Sequence, residues 1–288
     1  MSNSGINQKM VEDGLRGLGL KEGDLVFFHS NLASLAAARE LVKLPNTGAD
    51  LIIDAFCAVV GSRGTVAAPT LTATYVEGMG PSGKVFDPKE TPSRVGSITD
   101  LFWRRPNAVR SHHPTHCVAA IGGRAAEYTA GHELVATFAW DSPYGRTVQW
   151  DGYICYFGTS TNTNTHIHAV EQWMEMPYLE NQEALVRGAS GAVLRCKTYG
   201  SPPGPRDFYR KNTSLVHELL AASGIWKQAK VGQATVTLMK ARDFFSVVFR
   251  GIIAKPDLLL NQASDPWTDI YRQKTIDFVR SRWGVAAV

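Results

Sequence analysis

The sequence predicts an α/β fold with a mixed central sheet, and three observations carry that prediction. Short apolar runs rich in strand formers, DLVFFHS, TVAAPT, CVAAIGG and GYICYFGTS, recur along the chain and end in polar loops. Between them stand segments whose apolar residues fall at helical spacing. The strand, loop, helix alternation contains no internal repeat and no low-complexity tract, which is the pattern of helices layered on a sheet.

The elements follow in order. Residues 7–19 read as an opening helix, and Asp24 to Ser30 as a strand that delivers a histidine and a serine into a loop. In DLIIDAFCAVVG, Leu51, Ile52, Ala55, Phe56 and Val59 share a helical face, Gly61 and Gly64 close the helix, and Pro69 stops the strand TVAAPT. From Leu71 to Thr91, Gly, Pro and Thr recur without a sustained period, the mark of a long functional loop. TPSRVGSITDLFWRR opens with Thr91, Pro92 and Ser93 in cap-like positions and sets Val95, Ile98, Leu101 and Phe102 on one face, a helix whose N-terminus can receive an anion. CVAAIGG reads as a buried strand, AAEYTAGHEL as a helical turn then loop, and WDSPYG as a turn. GYICYFGTS reads as another buried strand, followed by a helix from about Thr165 to Met174 that Pro177 ends. Residues 180–240 hold short strand-like pieces, a Pro/Gly hinge at SPPGPRD, a helix around Leu215 to Ala222 and the strand QATVTLMK.

At 288 residues, 44% hydrophobic and 19% charged, the chain has ordinary globular composition and enough length for a large core. One domain over 1–288 is expected, with its core at about 10–250 and a C-terminal helical tail at about 251–288. No basic flank precedes an apolar run at the N-terminus, and no stretch reaches the roughly 18 apolar residues of a membrane span, so a cytoplasmic protein is expected. Cys57, Cys117, Cys155 and Cys196 are widely spaced and read as reduced thiols. The net charge of +4 is spread along the chain without a basic run, which argues against nucleic acid and suits an anionic cofactor or substrate. The absence of GxGxxG after a strand, of GxxxxGK[ST] and of GxSxG argues against dinucleotide oxidoreductases, P-loop NTPases and nucleophile-elbow hydrolases.

Polar groups crowd at strand ends: His29 and Ser30, Thr70, and Thr159 to His168. Strand ends that point one way would form one pocket; ordinary strand-terminal polar residues are the alternative. In THIHAVEQ, a helix puts His168 and Glu171 at i and i+3, close enough for a carboxylate to orient an imidazole that removes a proton from an amine. A half-buried helical histidine with a surface glutamate gives the same spacing. SHHPTHC gathers His112, His113, His116 and Cys117, a metal-like composition whose spacing matches no standard zinc pattern and which Pro114 interrupts. Asp141 either caps its turn or faces the pocket.

Taken in order, HSNLASL, GTVAAPT, FDPKETPSRVGSITDLF, RSHHPTHCVAAIGGRA, AGHEL, DSPYGR, GTSTNTNTHIHAVE and VGQATVTLMKARD resemble the aminoglycoside 3-N-acetyltransferase family, from about residue 10 to about residue 250. The resemblance implies a three-layer α/β/α sandwich with a helical subdomain and a cleft where acetyl-CoA meets an amine of an antibiotic or antibiotic-like small molecule. Its partners would be that amine and acetyl-CoA as co-substrate, with no metal, nucleic acid or membrane, and a homodimer is allowed. By position, His168 matches the family's general base and Glu171 its companion carboxylate, His113 the histidine of the RSxHP segment, and Asp141 the polar position before Ser-Pro. His29, Ser30, Asn31, Thr70, Ser93, Arg94, Val95 and Gly96 fall where the family cradles pantetheine and phosphates. The implied mechanism is direct transfer, with His168 taking the amine proton and backbone N–H groups or His113 facing the oxyanion.

Two departures from the family pattern stand out. Thr161, Asn162, Thr163 and Asn164 replace a His-Asp-Asn-Asn run, which alters contacts to the acceptor. Cys117 stands where serine is common, and a histidine-activated cysteine would permit an acetyl-thioester and ping-pong chemistry. Aminoglycoside acetylation is the family default. A basic chain equally suits an amine carried beside an anionic group, such as a phosphonate or amino-acid-like intermediate, although Asp141, Glu171, Glu175 and Glu180 could line an acidic pocket. From another class, a metal-dependent amidohydrolase would use His113, His166, His168 and Glu171.

Overall fold

The structure, a computed structural model, describes residues 6–31, 48–72, 84–200, 213–262 and 266–284. The SPPGPRD hinge and most of the Leu71–Thr91 loop lie outside the described residues.

Helix α1 (Gln8–Gly17) starts where the Asn7 side chain accepts the Met10 N–H, and strand β1 (Leu25–Ser30) follows. Helix α2 (Gly48–Val60) leads into β2 (Thr65–Pro69), and the short β3 (Val85–Phe86) precedes α3 (Ser97–Arg104). Then come β4 (Val109–Arg110), β5 (Val118–Gly122), α4 (Ala125–Thr129), α5 (Pro143–Gln149), β6 (Tyr153–Phe157) and α6 (Ile167–Trp173). A pair of strands, β7 (Glu180–Arg187) and β8 (Val193–Gly200), separates these from α7 (Thr213–Ala222), β9 (Lys227–Val231), β10 (Ala234–Lys240), α8 (Ala241–Ala254) and α9 (Pro266–Trp283).

The main sheet runs β4-β5-β2-β1-β6-β10-β9. Its centre is parallel, with β1 between β2 and β6, while β5 on one side and β10 on the other are antiparallel. Both faces are apolar, as a sheet covered on both sides requires. Leu25 and Phe27 of β1 join Ala67, Ile154, Tyr156 and Met239 in one core with α5, α6 and α8. Val26 and Phe28 point the other way and pack with Val66, Ala68, Cys155, Phe157 and Leu238 against α1, α2 and α3. The three-layer α/β/α sandwich is therefore the observed fold. The alternation along β1 decides it, because successive side chains of a strand serve opposite faces.

A second sheet, β3-β7-β8, packs Phe86, Val186 and Cys196 with Cys117 of the main body. It corrects the expectation of short strand-like pieces after residue 180, since β7 and β8 form an eight-residue antiparallel ladder. Helix α3 corrects another. It starts at Ser97 rather than Thr91, because Gly96 has φ 121° and interrupts right-handed helical geometry. Ahead of it, the Asp100 carboxylate accepts the Ser93 N–H at 2.9 Å, and the Ser93 and Thr99 hydroxyls pair at 2.9 Å. WDSPYG is a helix start rather than a bare turn, with Ser142 capping α5 and Pro143 at its first position. Helix α8 runs across residue 251, and α9 forms the C-terminal tail.

Candidate active site

Because β1 lies parallel to both β2 and β6, all three strands release their loops on one side. Open α/β sheets place ligand crevices outside the C-terminal ends of such strands. A cavity of about 410 Å³ opens there, lined by His29 and Ser30 from β1, Pro69 and Leu71 after β2, Val95 and Thr99 around the start of α3, His116, residues 162–165 after β6, and His168. Of the strand-end polar groups, His29, Ser30, Asn162 to Thr165 and His168 meet at this cavity, and Asn162, Thr163 and Asn164 of the run that departs from the family pattern form part of the wall.

The first turn of α6 carries His168 to that wall, with its side chain 23% exposed, while Glu171 is buried behind it. His168 Nδ1 lies 2.8 Å from Glu171 Oε2. An ionised carboxylate only accepts, so Nδ1 carries the hydrogen and the Nε2 of a neutral ring carries the lone pair. The Tyr178 hydroxyl donates to Glu171 Oε1 at 3.0 Å, so both carboxylate oxygens are held. Phe138 stacks on the imidazole with ring centroids 5.5 Å apart and planes inclined by 24°. Phe138 is itself fixed to α6, since its N–H donates to Gln172 and its carbonyl accepts from the Trp173 indole.

The other predicted residues divide. His29 and Ser30 line the cavity, and His29 Nε2 and Ser30 Oγ are buried with no hydrogen-bond partner among the described residues. Burial lowers His29 from an ordinary 6.5 to about 3, which keeps its ring neutral. Val95 lines the wall, with Ser93, Arg94 and Gly96 on its exposed and half-buried flank; the Arg94 N–H donates to the carbonyl of the wall residue Leu71. Asn31 donates its backbone N–H to Phe157 and is not among the lining residues. Thr70 is buried one layer back, where its hydroxyl accepts from Arg110 Nε at 3.1 Å and Arg110 also reaches the Thr70 and Thr91 carbonyls. Arg110, not anticipated from sequence, ties the end of β2 to the segment before α3.

His113 does not reach the cavity. It is buried, its ring stacks on His132 at 4.3 Å, and its Nδ1 accepts the His116 N–H at 3.1 Å, since Pro114 turns the chain back over it. Burial, with the His132 and His116 rings adding to it, pushes His113 well below the ordinary imidazole range. His116 is the member of SHHPTHC that faces the cavity. Asp141 sits exposed on the turn before α5, outside the lining. Cys117 is fully buried, its thiol donates to the Thr70 carbonyl at 2.8 Å, and burial raises its pKa, which opposes thiolate formation. His166 is also fully buried, edge-on to Phe27 at 4.5 Å. Of the set expected of an amidohydrolase, His168 and Glu171 meet while His113 and His166 are buried elsewhere, and among the described residues no group of three or more His, Cys, Asp or Glu side chains is placed to hold a metal.

Fold and site define a class: a three-layer α/β/α protein whose crevice lies at parallel strand ends, with a carboxylate-held imidazole on its wall. Comparison with known proteins narrows it. The family profile described as Aminoglycoside 3-N-acetyltransferase matches residues 29–251, and the chain belongs to that family of acetyl-CoA-dependent N-acetyltransferases. Among curated relatives, Aminoglycoside N(3)-acetyltransferase IX of Micromonospora chalcea is 24% identical over 88% of this chain and 96% of its own length. The prophage-derived aminoglycoside N(3')-acetyltransferase-like protein YokD of Bacillus subtilis is 27% identical over 82% of this chain and 89% of its own. Among solved structures, the apoenzyme of aminoglycoside acetyltransferase AAC(3)-IVa aligns with a TM-score of 0.73 at 24% identity, over 93% of this chain and 97% of that one. The binary complex of AAC-IIIb with CoASH aligns with a TM-score of 0.73 at 23% identity, over 91% of this chain and all of that one. No helix among the described residues is long and apolar enough to cross a membrane.

Proposed function

We propose that this chain transfers the acetyl group of acetyl-CoA directly to an amine, with His168 as general base. The carrying observation is the 2.8 Å bond between His168 Nδ1 and Glu171 Oε2 at the cavity wall. The amine nitrogen attacks the thioester carbonyl carbon, its proton passes to His168 Nε2, the C–S bond breaks, and CoA leaves as a thiolate that is then protonated. Glu171 stabilises the imidazolium formed on the way, and Tyr178 keeps the carboxylate in place. His29, Ser30 and Val95 are the residues assigned to the donor side. The whole chain acts as one unit in the cytoplasm, where its acyl donor resides, and a homodimer is compatible with every step.

Aminoglycoside 3-N-acetylation is the default acceptor chemistry, supported by the relatives' names. A second reading is favoured by one observation: the described lining of the cavity contains no carboxylate. Polycations are recognised by acidic surfaces, so an acceptor with a single amine, including one beside an anionic group, fits that lining. The test is purified protein with acetyl-CoA and a panel of aminoglycosides and small anionic amines, read by thiol release and product mass. Acetylated aminoglycoside supports the default, modification of anionic amines alone supports the second reading, and no acetylated product from any amine contradicts both.

A further inference from the structure

We infer that His116 is a second catalytic imidazole, donating a hydrogen bond from Nε2–H to the carbonyl oxygen of the thioester as it becomes an oxyanion. The inference deepens the proposed acetyl transfer and rests on it. His116 lines the same cavity as His168, and the two ring centroids lie 5.9 Å apart with planes inclined by 66°. Both rings pack against Phe138, His116 at 5.0 Å and His168 at 5.5 Å. Two imidazoles side by side on one wall can address two atoms of one tetrahedral centre, the nitrogen that loses a proton and the oxygen that gains charge.

The placement of His116 is unusually constrained for a residue in a loop. Its N–H donates to His113 Nδ1 at 3.1 Å, and its carbonyl accepts from the buried Tyr144 hydroxyl at 3.2 Å. Its Nδ1 lies 2.9 Å from the Thr115 hydroxyl, which is only 3.5 Å from His113 Nδ1. The hydroxyl can donate to His116 Nδ1 or accept from it; the proposed arrangement has it donate, since His113 Nδ1 already accepts the His116 N–H. Donation to His116 Nδ1 puts the ring hydrogen on Nε2, the tautomer an oxyanion donor needs. Thr115 is then a positioning residue, and His113, buried and outside the cavity lining, a backbone support. Carbonyl oxygen and donor exchange no proton in this step; the N–C bond forms as the carbonyl π pair moves to oxygen, and it returns as C–S breaks.

The test has two parts. Nitrogen-15 NMR of the ligand-free protein should show His116 protonated at Nε2 and should show that preference lost in Thr115→Val; a ring protonated at Nδ1 overturns the assignment without any acceptor being known. With acetyl-CoA and the amine of the panel that the unaltered chain turns over fastest, His116→Ala should lose about 10²–10³-fold in kcat, with the KM for acetyl-CoA within about twofold. A loss below about threefold, or a loss carried by KM, overturns it. If His116→Ala retains kcat while His168→Ala does not, the general-base reading stands and this inference alone fails. If the unaltered chain acetylates no amine, both fail together.

Discussion

His168 Nδ1 and Glu171 Oε2 lie 2.8 Å apart, one helical turn along α6, and the Tyr178 hydroxyl closes on the other carboxylate oxygen at 3.0 Å. This grip fixes the tautomer of His168 whichever ligand enters. Glu171→Gln retains the shape and removes the charge that stabilises an imidazolium, so kcat should fall by about 10²-fold or more while acetyl-CoA affinity, measured by calorimetry, stays unchanged. Tyr178→Phe removes one hydrogen bond to a buried carboxylate and should destabilise the fold by about 1.5–3 kcal/mol in a urea titration, with a smaller loss in kcat.

Cys117 should prove inert. Its thiol is buried against the Thr70 carbonyl and its pKa is raised, so Cys117→Ser should keep most of the activity, and intact mass spectrometry after acetyl-CoA treatment should find no acetyl group on Cys117. A trapped acetyl-thioester at this residue would restore the ping-pong mechanism.

Acid should unfold the protein early. His29 and His132 are buried and neutral, each lowered by burial from 6.5 to about 3. Their folded values lie below their unfolded ones, so the unfolded chain binds more protons under about pH 6.5. Their contribution is complete above about pH 6.5 and declines toward about pH 3, by about 1.4 kcal/mol per pH unit for each group. Urea midpoints measured from about pH 7.5 down to about pH 4 should fall steadily once the pH drops below the ordinary histidine value; a flat profile over that range would contradict neutral burial of these rings.

Gly145 is required by space. A Cβ there would stand 2.0 Å from the Trp140 carbonyl oxygen, against backbone that cannot move without disturbing the Ser142 cap of α5. Gly145→Ala should cost about 2–3 kcal/mol or more in denaturant stability, and an unchanged midpoint would show the α5 start to be pliable.

Much of this was legible in sequence because it lies in local pattern. The β1, β2 and β6 runs are apolar on both faces, which marks central parallel strands, and His168 with Glu171 is a helical pair visible from spacing alone. What escaped is set by long-range packing. In WDSPYG the Ser-Pro pair is a helix-start signal that a reading by turn composition passes over, and β7 and β8 carry polar side chains that mask their ladder. Within SHHPTHC the composition flagged a cluster, but only the turn over Pro114 decides that His116 faces the cavity while His113 turns inward to hold it. Tyr178 and Arg110 reach their partners through folds of the chain that no spacing reveals.

The central claim is that His168 takes the proton from the attacking amine. Its most direct test is the single-turnover rate of acetyl transfer in His168→Ala, with the affinity for acetyl-CoA measured on the same protein. The account predicts a rate reduced by about 10²–10⁴-fold at unchanged affinity. A His168→Ala protein that transfers acetyl at the rate of the unaltered chain would contradict it.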